Sequence, residues 1–313
     1  MEFMGYVRPD GTVGIRNNLC FLSLDAESDF ICRQLSVTIN GTVMLPYHYE
    51  NKFKLDENAD LISAIAGNPN VGAVIMIESL NENLLSKYIF KKIAEKGKLV
   101  KIINIHDCGG IAGAFAKALT TAVLVMKDIT TYRRELVKLK NLSVGIWLEK
   151  DVPEDLRLTF ASCLQNLLEH GCSVVGNNSV EKVLLIKGQN GDKKDSSLNL
   201  SQVLPNNTTQ RSKFVLANQK KEFELLAAIA GSQILVQSIP ATETSILNLI
   251  LPTIKITFDN KYYEVMEDAV DFYIGVGSFD PKAESLLLVN EILSTCSGKI
   301  TKAEIMRGFY FKS

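Results

Sequence analysis

The sequence predicts an α/β protein of two Rossmann-like domains with largely parallel sheets, and three observations carry that expectation. Apolar, β-branched runs of strand length at Leu19–Leu24, Thr42–Leu45, Val71–Ile77 and Leu99–Ile105 alternate with stretches of helical period. The alternation returns at Leu142–Leu148, Cys172–Val175, Val180–Ile186, Lys213–Ala217, Ile234–Ile239 and Ile254–Phe258. A chain of 313 residues with 46% hydrophobic content is long enough for two cores, expected at 1–139 and 140–313.

The chain opens with a polar lead-in rich in turn residues. Ser28–Ile39 then places Phe30, Ile31, Leu35 and Ile39 at helical spacing. Asp60–Ala66 is helical and closes at Gly67-Asn68-Pro69, a stop signal. Leu84–Lys96 is an amphipathic helix whose lysine-rich last turn suits the helix dipole, and Gly97 stops it. After the fourth strand, His106-Asp107-Cys108-Gly109-Gly110 leads into a long alanine-rich helix expected to end near Leu139. Further helices are expected at Leu156–His170, Lys221–Ala230, Glu243–Leu249 and Lys282–Leu293, and the polar stretch at 187–212 reads as a long loop or insertion.

Composition excludes some classes of function. With 34 basic and 35 acidic residues the chain has no bias toward nucleic acid or an anionic membrane. No signal peptide is expected, and the longest apolar tract, Ala114–Met126, is too short to span a bilayer. Six cysteines without a CxxC pair point to a reduced, cytoplasmic protein. There is no GxGxxG, P-loop or GxSxG pattern.

Right-handed crossovers bring the strand ends to one edge of a parallel sheet, where such sheets bind ligands. That edge collects Asp25 and Glu27, His48, Glu78 and Glu82, and His106, Asp107 and Cys108. His106 is the best candidate for proton transfer, with Asp107 or Glu78 able to fix its tautomer. Asp25, Glu78, Glu82 and Cys108 are candidate metal ligands. Gly109 and Gly110 let an anion approach the backbone N–H groups of the helix start. The competing reading is a solvated rim in which Asp107 caps a helix. His170, at a helix end, suits the dipole better than catalysis. In Gly5–Asn17, Arg8 and Arg16 flank a turn and can hold a carboxylate bidentately, with Asp10 orienting one of them. A plain turn with Arg16 paired internally fits that stretch as well.

The same stretch, GYVRPDGTVGIRN, resembles the opening of the altronate/galactarate dehydratase family, with Thr12 where the family pattern has an arginine. The resemblance continues through Gly67–Val71, Asp107–Gly110, Leu142–Gly145 and Ser297–Lys302. It implies a cytoplasmic hydro-lyase that removes water from a sugar acid to give a 2-keto-3-deoxy acid, with a divalent metal such as iron, manganese or magnesium. It also implies Arg8, Asp10, Arg16, Asn17, Gly109 and Gly110 as substrate-binding residues and His106 and Asp107 as catalytic ones.

Family thiols are missing around Asp25-Ala26, Tyr47–Glu50, Leu80–Glu82 and Leu148–Val152, and the later loops at Pro240–Glu243 and Gly191–Lys193 depart from the pattern. Carboxylates in place of thiolates shift a site toward harder metals, and losing several ligands together removes it. The alternative is therefore a catalytically silent paralogue without a cofactor, serving as a binding or regulatory subunit. The expected partners are a small sugar acid, a second copy of the chain, or an intact paralogue.

Overall fold

The computed structural model describes residues 1–46, 55–79, 84–149, 152–177, 179–180, 214–216, 220–239, 250–275 and 280–305. Two compact units emerge, one of Tyr6–Glu135 and one of Met1–Gly5 with Leu136–Ser313. The division thus falls four residues before the expected one, and the first five residues group with the second unit.

The lead-in is largely strand rather than turn. β1 (Glu2–Val7) alternates buried Phe3 and Gly5 with exposed Glu2 and Met4, and it pairs antiparallel with β2 (Val13–Gly14). A later strand, β7 (Glu135–Lys138), completes a three-stranded sheet of order β2-β1-β7. Four alternating positions hidden among turn residues are too few for a period-two signal to stand out.

Within Tyr6–Glu135 the elements are β3 (Asn18–Ser23), α1 (Ala26–Thr38), β4 (Thr42–Leu45), α2 (Leu55–Ala66), β5 (Val71–Glu78), α3 (Leu84–Ala94), β6 (Leu99–Asn104) and α4 (Ile111–Ile129). The strands form a parallel sheet of order β4-β3-β5-β6, in register at Cys20↔Val43, Phe21↔Ile75 and Ile75↔Lys101. Every residue of β5 is buried, as a central parallel strand requires. Phe21, Ile75, Ile77 and Ile103 project to one face and pack with Ile31 and Leu35 of α1 and Ala114, Ala118 and Ala122 of α4. Helix α4 stops ten residues short of expectation. The hydroxyls of Thr130 and Thr131 donate to the Lys127 and Asp128 carbonyls, both at 2.7 Å, and this competes with continuing the helix.

The chain leaves β3 toward one edge and returns past it to β5, so the strand order reverses between β3 and β5. In open α/β sheets the crevice at such a reversal, beyond the strand C-terminal ends, is the ligand position. Here it lies between Ser23–Asp25 and Glu78–Ser79.

The other unit contains β8 (Ser143–Trp147), α5 (Glu154–Glu169), β9 (Ser173–Gly176), β10 (Phe214–Leu216), α6 (Lys220–Ile229), β11 (Ile234–Ser238), β12 (Thr253–Thr257), α7 (Asn260–Met266), β13 (Phe272–Tyr273) and α8 (Pro281–Cys296). Its parallel sheet runs β10-β9-β8-β11-β12-β13, the doubly wound order reversing between β8 and β11. Val180, expected in a strand, is helical, and 181–186 lie outside the described residues, as do the polar stretch 187–212 and the expected helix Glu243–Leu249. No described helix is long and apolar enough to cross a membrane.

Candidate functional site

The residues singled out in the sequence separate onto opposite ends of the four-stranded sheet. At the N-terminal end sits the Arg8–Asn17 turn. Arg8 is 4% exposed, and its guanidinium is spent on the protein itself. Nε donates to the Pro69 carbonyl at 2.9 Å, Nη1 to Asn17 Oδ1 at 2.7 Å and Nη2 to the Arg16 carbonyl at 2.8 Å. The rings of Tyr6 and Tyr132 flank it at 5.6 and 5.8 Å, and burial lowers its pKa to about 10.

The rest of the motif is equally inward-looking. Asn17 Nδ2 donates to the Ile129 carbonyl at the end of α4. Arg16 is buried and donates through Nη1 to the Ile15 carbonyl at 3.0 Å. Asp10 orients neither arginine; its Oδ1 accepts from the Thr12 N–H and hydroxyl at 3.0 and 2.7 Å and so closes the turn.

Two buried residues that sequence reasoning passed over complete this clamp. Asn70 Oδ1 accepts the Ile15 N–H at 2.9 Å, and Lys98 donates to the Asn68 carbonyl at 2.7 Å and to that of Val71. Burial beside Arg8 and Lys96 pushes the Lys98 pKa well down. The structure thus places Arg8, Asp10, Arg16 and Asn17 at the end of the sheet away from Glu78 and His106. Asn70 precedes β5 and Glu78 ends it, so at ~3.3 Å per residue roughly 25 Å separates the two groups.

The C-terminal end holds the other candidates. Asp25 is the N-cap of α1: its Oδ1 accepts the Ser28 N–H at 2.8 Å, and Ser28 Oγ accepts the Asp25 N–H at 3.1 Å, a reciprocal capping box. Its Oδ2 accepts the Ser79 N–H at 2.6 Å and the Ser79 hydroxyl at 2.9 Å, which ties β3 to β5 across the reversal. Both oxygens are thus committed. Asp25→Ala is expected to cost about 2–3 kcal/mol, read by urea unfolding, since a helix cap and two buried donors lose their acceptor.

Glu78 is 6% exposed. Ser86 and Asn104 hydrogen-bond its carboxyl group, while Oε2 has no partner. Burial raises its pKa, and the nearby Asp25 charge adds to the rise. The folded protein therefore disfavours the carboxylate, a penalty felt above the folded pKa and relieved as pH falls toward the unfolded value of 4.5. Glu78→Gln is accordingly expected to be more stable than the parent at pH 7, with the difference closing below pH 4.5 in paired urea titrations.

Asn104, opposite Glu78 in the β5–β6 register, shapes the neighbouring turn: its Oδ1 accepts the N–H groups of His106 and Asp107 at 2.9 and 3.3 Å. His106–Cys108 forms one 3-10 turn that Gly109 (φ 75°) ends in the left-handed region. His106, Asp107 and Gly109 are exposed. Gly110 (φ 105°) starts α4 without a side-chain cap, so neither Asp107 nor another side chain caps this helix through Gly110. Cys108 is half-buried and packs against the core shared by α1 and α4. His48 and Glu82 lie outside the described residues.

Of the four candidate metal ligands, Glu82 lies outside the described residues. Both Asp25 oxygens accept from Ser28 and Ser79 donors, Ser86 and Asn104 hold the Glu78 carboxyl group while its Oε2 has no partner, and Cys108 packs against the core. Among the described residues no three His, Cys, Asp or Glu side chains converge to hold an ion.

In the six-stranded sheet, the strand ends at the reversal are also polar. Asn177 holds the Leu148 backbone, Glu149 N–H donates to Ser238 Oγ at 2.8 Å, and Trp147 Nε1 donates to Glu149 Oε1 at 2.9 Å. Sequence reasoning placed no site there.

Comparison with known proteins gives this geometry a context. The (2R)-sulfolactate sulfo-lyase subunit beta of Chromohalobacter salexigens is 28% identical over 193 residues, covering 57% of this chain and 47% of that protein. The match thus spans about half the length of that relative. Two solved structures align over most of the chain: a carbon monoxide dehydrogenase from Thermococcus sp. AM4 (13% identity, 94% of this chain and 60% of that one, TM-score 0.28) and S. aureus MnaA with UDP (9% identity, 92% of each chain, TM-score 0.31). These scores are too low to carry fold or function across. Residues 5–130 match the family described as D-galactarate dehydratase/altronate hydrolase, second domain.

Proposed function

We propose that the chain acts as a lyase on a small hydroxy acid, at the C-terminal ends of β3, β5 and β6. The observation that carries this reading is the concentration of Asp25, Glu78, Asn104 and the His106 turn at the β3/β5 reversal, inside the segment that matches the dehydratase family. The word dehydratase in that family's description and the word sulfo-lyase in the relative's name both denote elimination reactions.

In such a reaction a base takes the proton beside the carboxylate and an acid protonates the leaving group. His106, exposed in the turn after β6, carries an imidazole suited to the first role. Glu78 is suited to the second, because burial favours its protonated form. The uncapped start of α4 at Gly110 offers N–H groups to the substrate carboxylate. A divalent metal enters only as a variable of the assay.

The test measures 2-oxo acid formation from galactarate, altronate and (2R)-sulfolactate, with and without iron(II), manganese or magnesium. Turnover that falls at least about a hundredfold in His106→Ala supports the roles given, as loss of a general base does. Absence of turnover with every substrate and metal contradicts the reading. A second reading, a non-catalytic subunit that pairs with a paralogue, is favoured by one observation: the relative is itself a subunit.

A further inference from the structure

The Glu78 carboxyl group is unusual in being fixed at one oxygen and unserved at the other. Ser86 and Asn104 hold the group, and Asn104 is in turn pinned by two backbone N–H groups of the His106 turn. Oε2 nevertheless has no hydrogen-bond partner, although the residue is more than nine-tenths buried. An orphan oxygen of this kind is costly to bury, and such a cost points to a ligand that satisfies it. Its neighbours narrow the chemistry. Asp25 and Lys87 are the charges nearest to it, and Asp25 has both oxygens engaged by serine donors. A second acid would meet the Asp25 charge. A hydroxyl group fits both protonation states of Glu78, donating to the carboxylate and accepting from the acid.

We propose that Glu78 Oε2 is a recognition point for a hydroxyl group of the ligand, with Ser86 and Asn104 as the residues that position it. This rests on placing the ligand site at the β3/β5 reversal, and it assigns the atom there that reads a hydroxyl group of the ligand. Ser86 and Asn104 do not touch the ligand; they hold the carboxyl group in one orientation.

The test uses the full chain labelled with glutamate carrying carbon-13 in its side-chain carboxyl, with the Glu78 signal identified by its absence in Glu78→Gln. The probes are galactarate and hexanedioate, which share two carboxylates and differ in hydroxyl groups. Galactarate is expected to shift the Glu78 signal saturably and hexanedioate to leave it in place. Glu78→Gln is expected to weaken galactarate about tenfold or more, as losing a hydrogen bond to a charged group does. Asn104→Ala is expected to weaken it while Asn104→Gln recovers part of the loss. Equal shifts from both probes, galactarate binding that leaves the Glu78 signal untouched, or binding by neither probe at tens of millimolar overturns the proposal. A Glu78 signal that responds to galactarate in a chain without turnover contradicts the lyase reading and leaves this proposal standing, so the two fail separately.

Discussion

Arg8→Ala is expected to destabilise the unit Tyr6–Glu135 by about 3–5 kcal/mol, measured as a shift of the urea midpoint at unchanged slope. The substitution strands the carbonyl oxygens of Pro69 and Arg16 and the Asn17 Oδ1, all of which accept from the guanidinium. It also empties the slot between Tyr6 and Tyr132. Each buried acceptor left without a donor costs about 1–3 kcal/mol, and relaxation of the turn recovers part of the sum. Arg8→Lys is expected to recover little. A lysine retains the charge and loses the planar fork that reaches three acceptors at once. A substrate-binding arginine would behave in the opposite way, with near-parental stability and weakened ligand binding.

Gly113→Ala is expected to be the most damaging small substitution at the other end of the sheet. A methyl group there would lie 1.9 Å from the Cys108 carbonyl oxygen and 3.0 Å from its carbon, both backbone atoms. Either the His106–Cys108 turn or the first turn of α4 must move, at about 3 kcal/mol. Gly109→Ala is the control. Its methyl group would meet no atom within 4 Å, so only the left-handed backbone (φ 75°) opposes it, at about 1 kcal/mol. Urea unfolding of the two variants separates them, and ligand binding by Gly113→Ala should fall as His106 shifts.

Much of the architecture is legible in the sequence because its elements are driven by burial. VGAVIMIE is apolar until its last residue, as only a strand covered on both faces can be, and the observed β5 spans all eight residues. Alternation with amphipathic helices then implies parallel order. Elements of weak pattern escaped. β1 hides among turn residues, β13 has two residues, and α7 is a seven-residue helix held by the Asp259 side chain on the Tyr262 N–H.

The site was legible only in part. Strand ends predict the edge on which Asp25, Glu78 and His106 gather, since that follows from topology alone. Arg8 and Arg16 show a guanidinium in the sequence, which hides its acceptors. Among the described residues, three backbone carbonyls and an asparagine oxygen accept from these two side chains, and no residue type announces a carbonyl. A usable signal existed nearby. Asn70 stands directly before an all-apolar strand and Asn104 closes IIN, positions where a lone amide is costly to bury unless it has work to do with backbone groups.

The central claim is that the arginine turn is a structural clamp and that ligand is received at the opposite end of the same sheet. Hydrogen–deuterium exchange of the full chain, with and without saturating galactarate, tests it most directly. The account predicts that protection rises at 23–28, 76–79 and 104–113 and stays unchanged at 8–17 and 67–70. Protection concentrated at 8–17, with the strand ends unaffected, would contradict it.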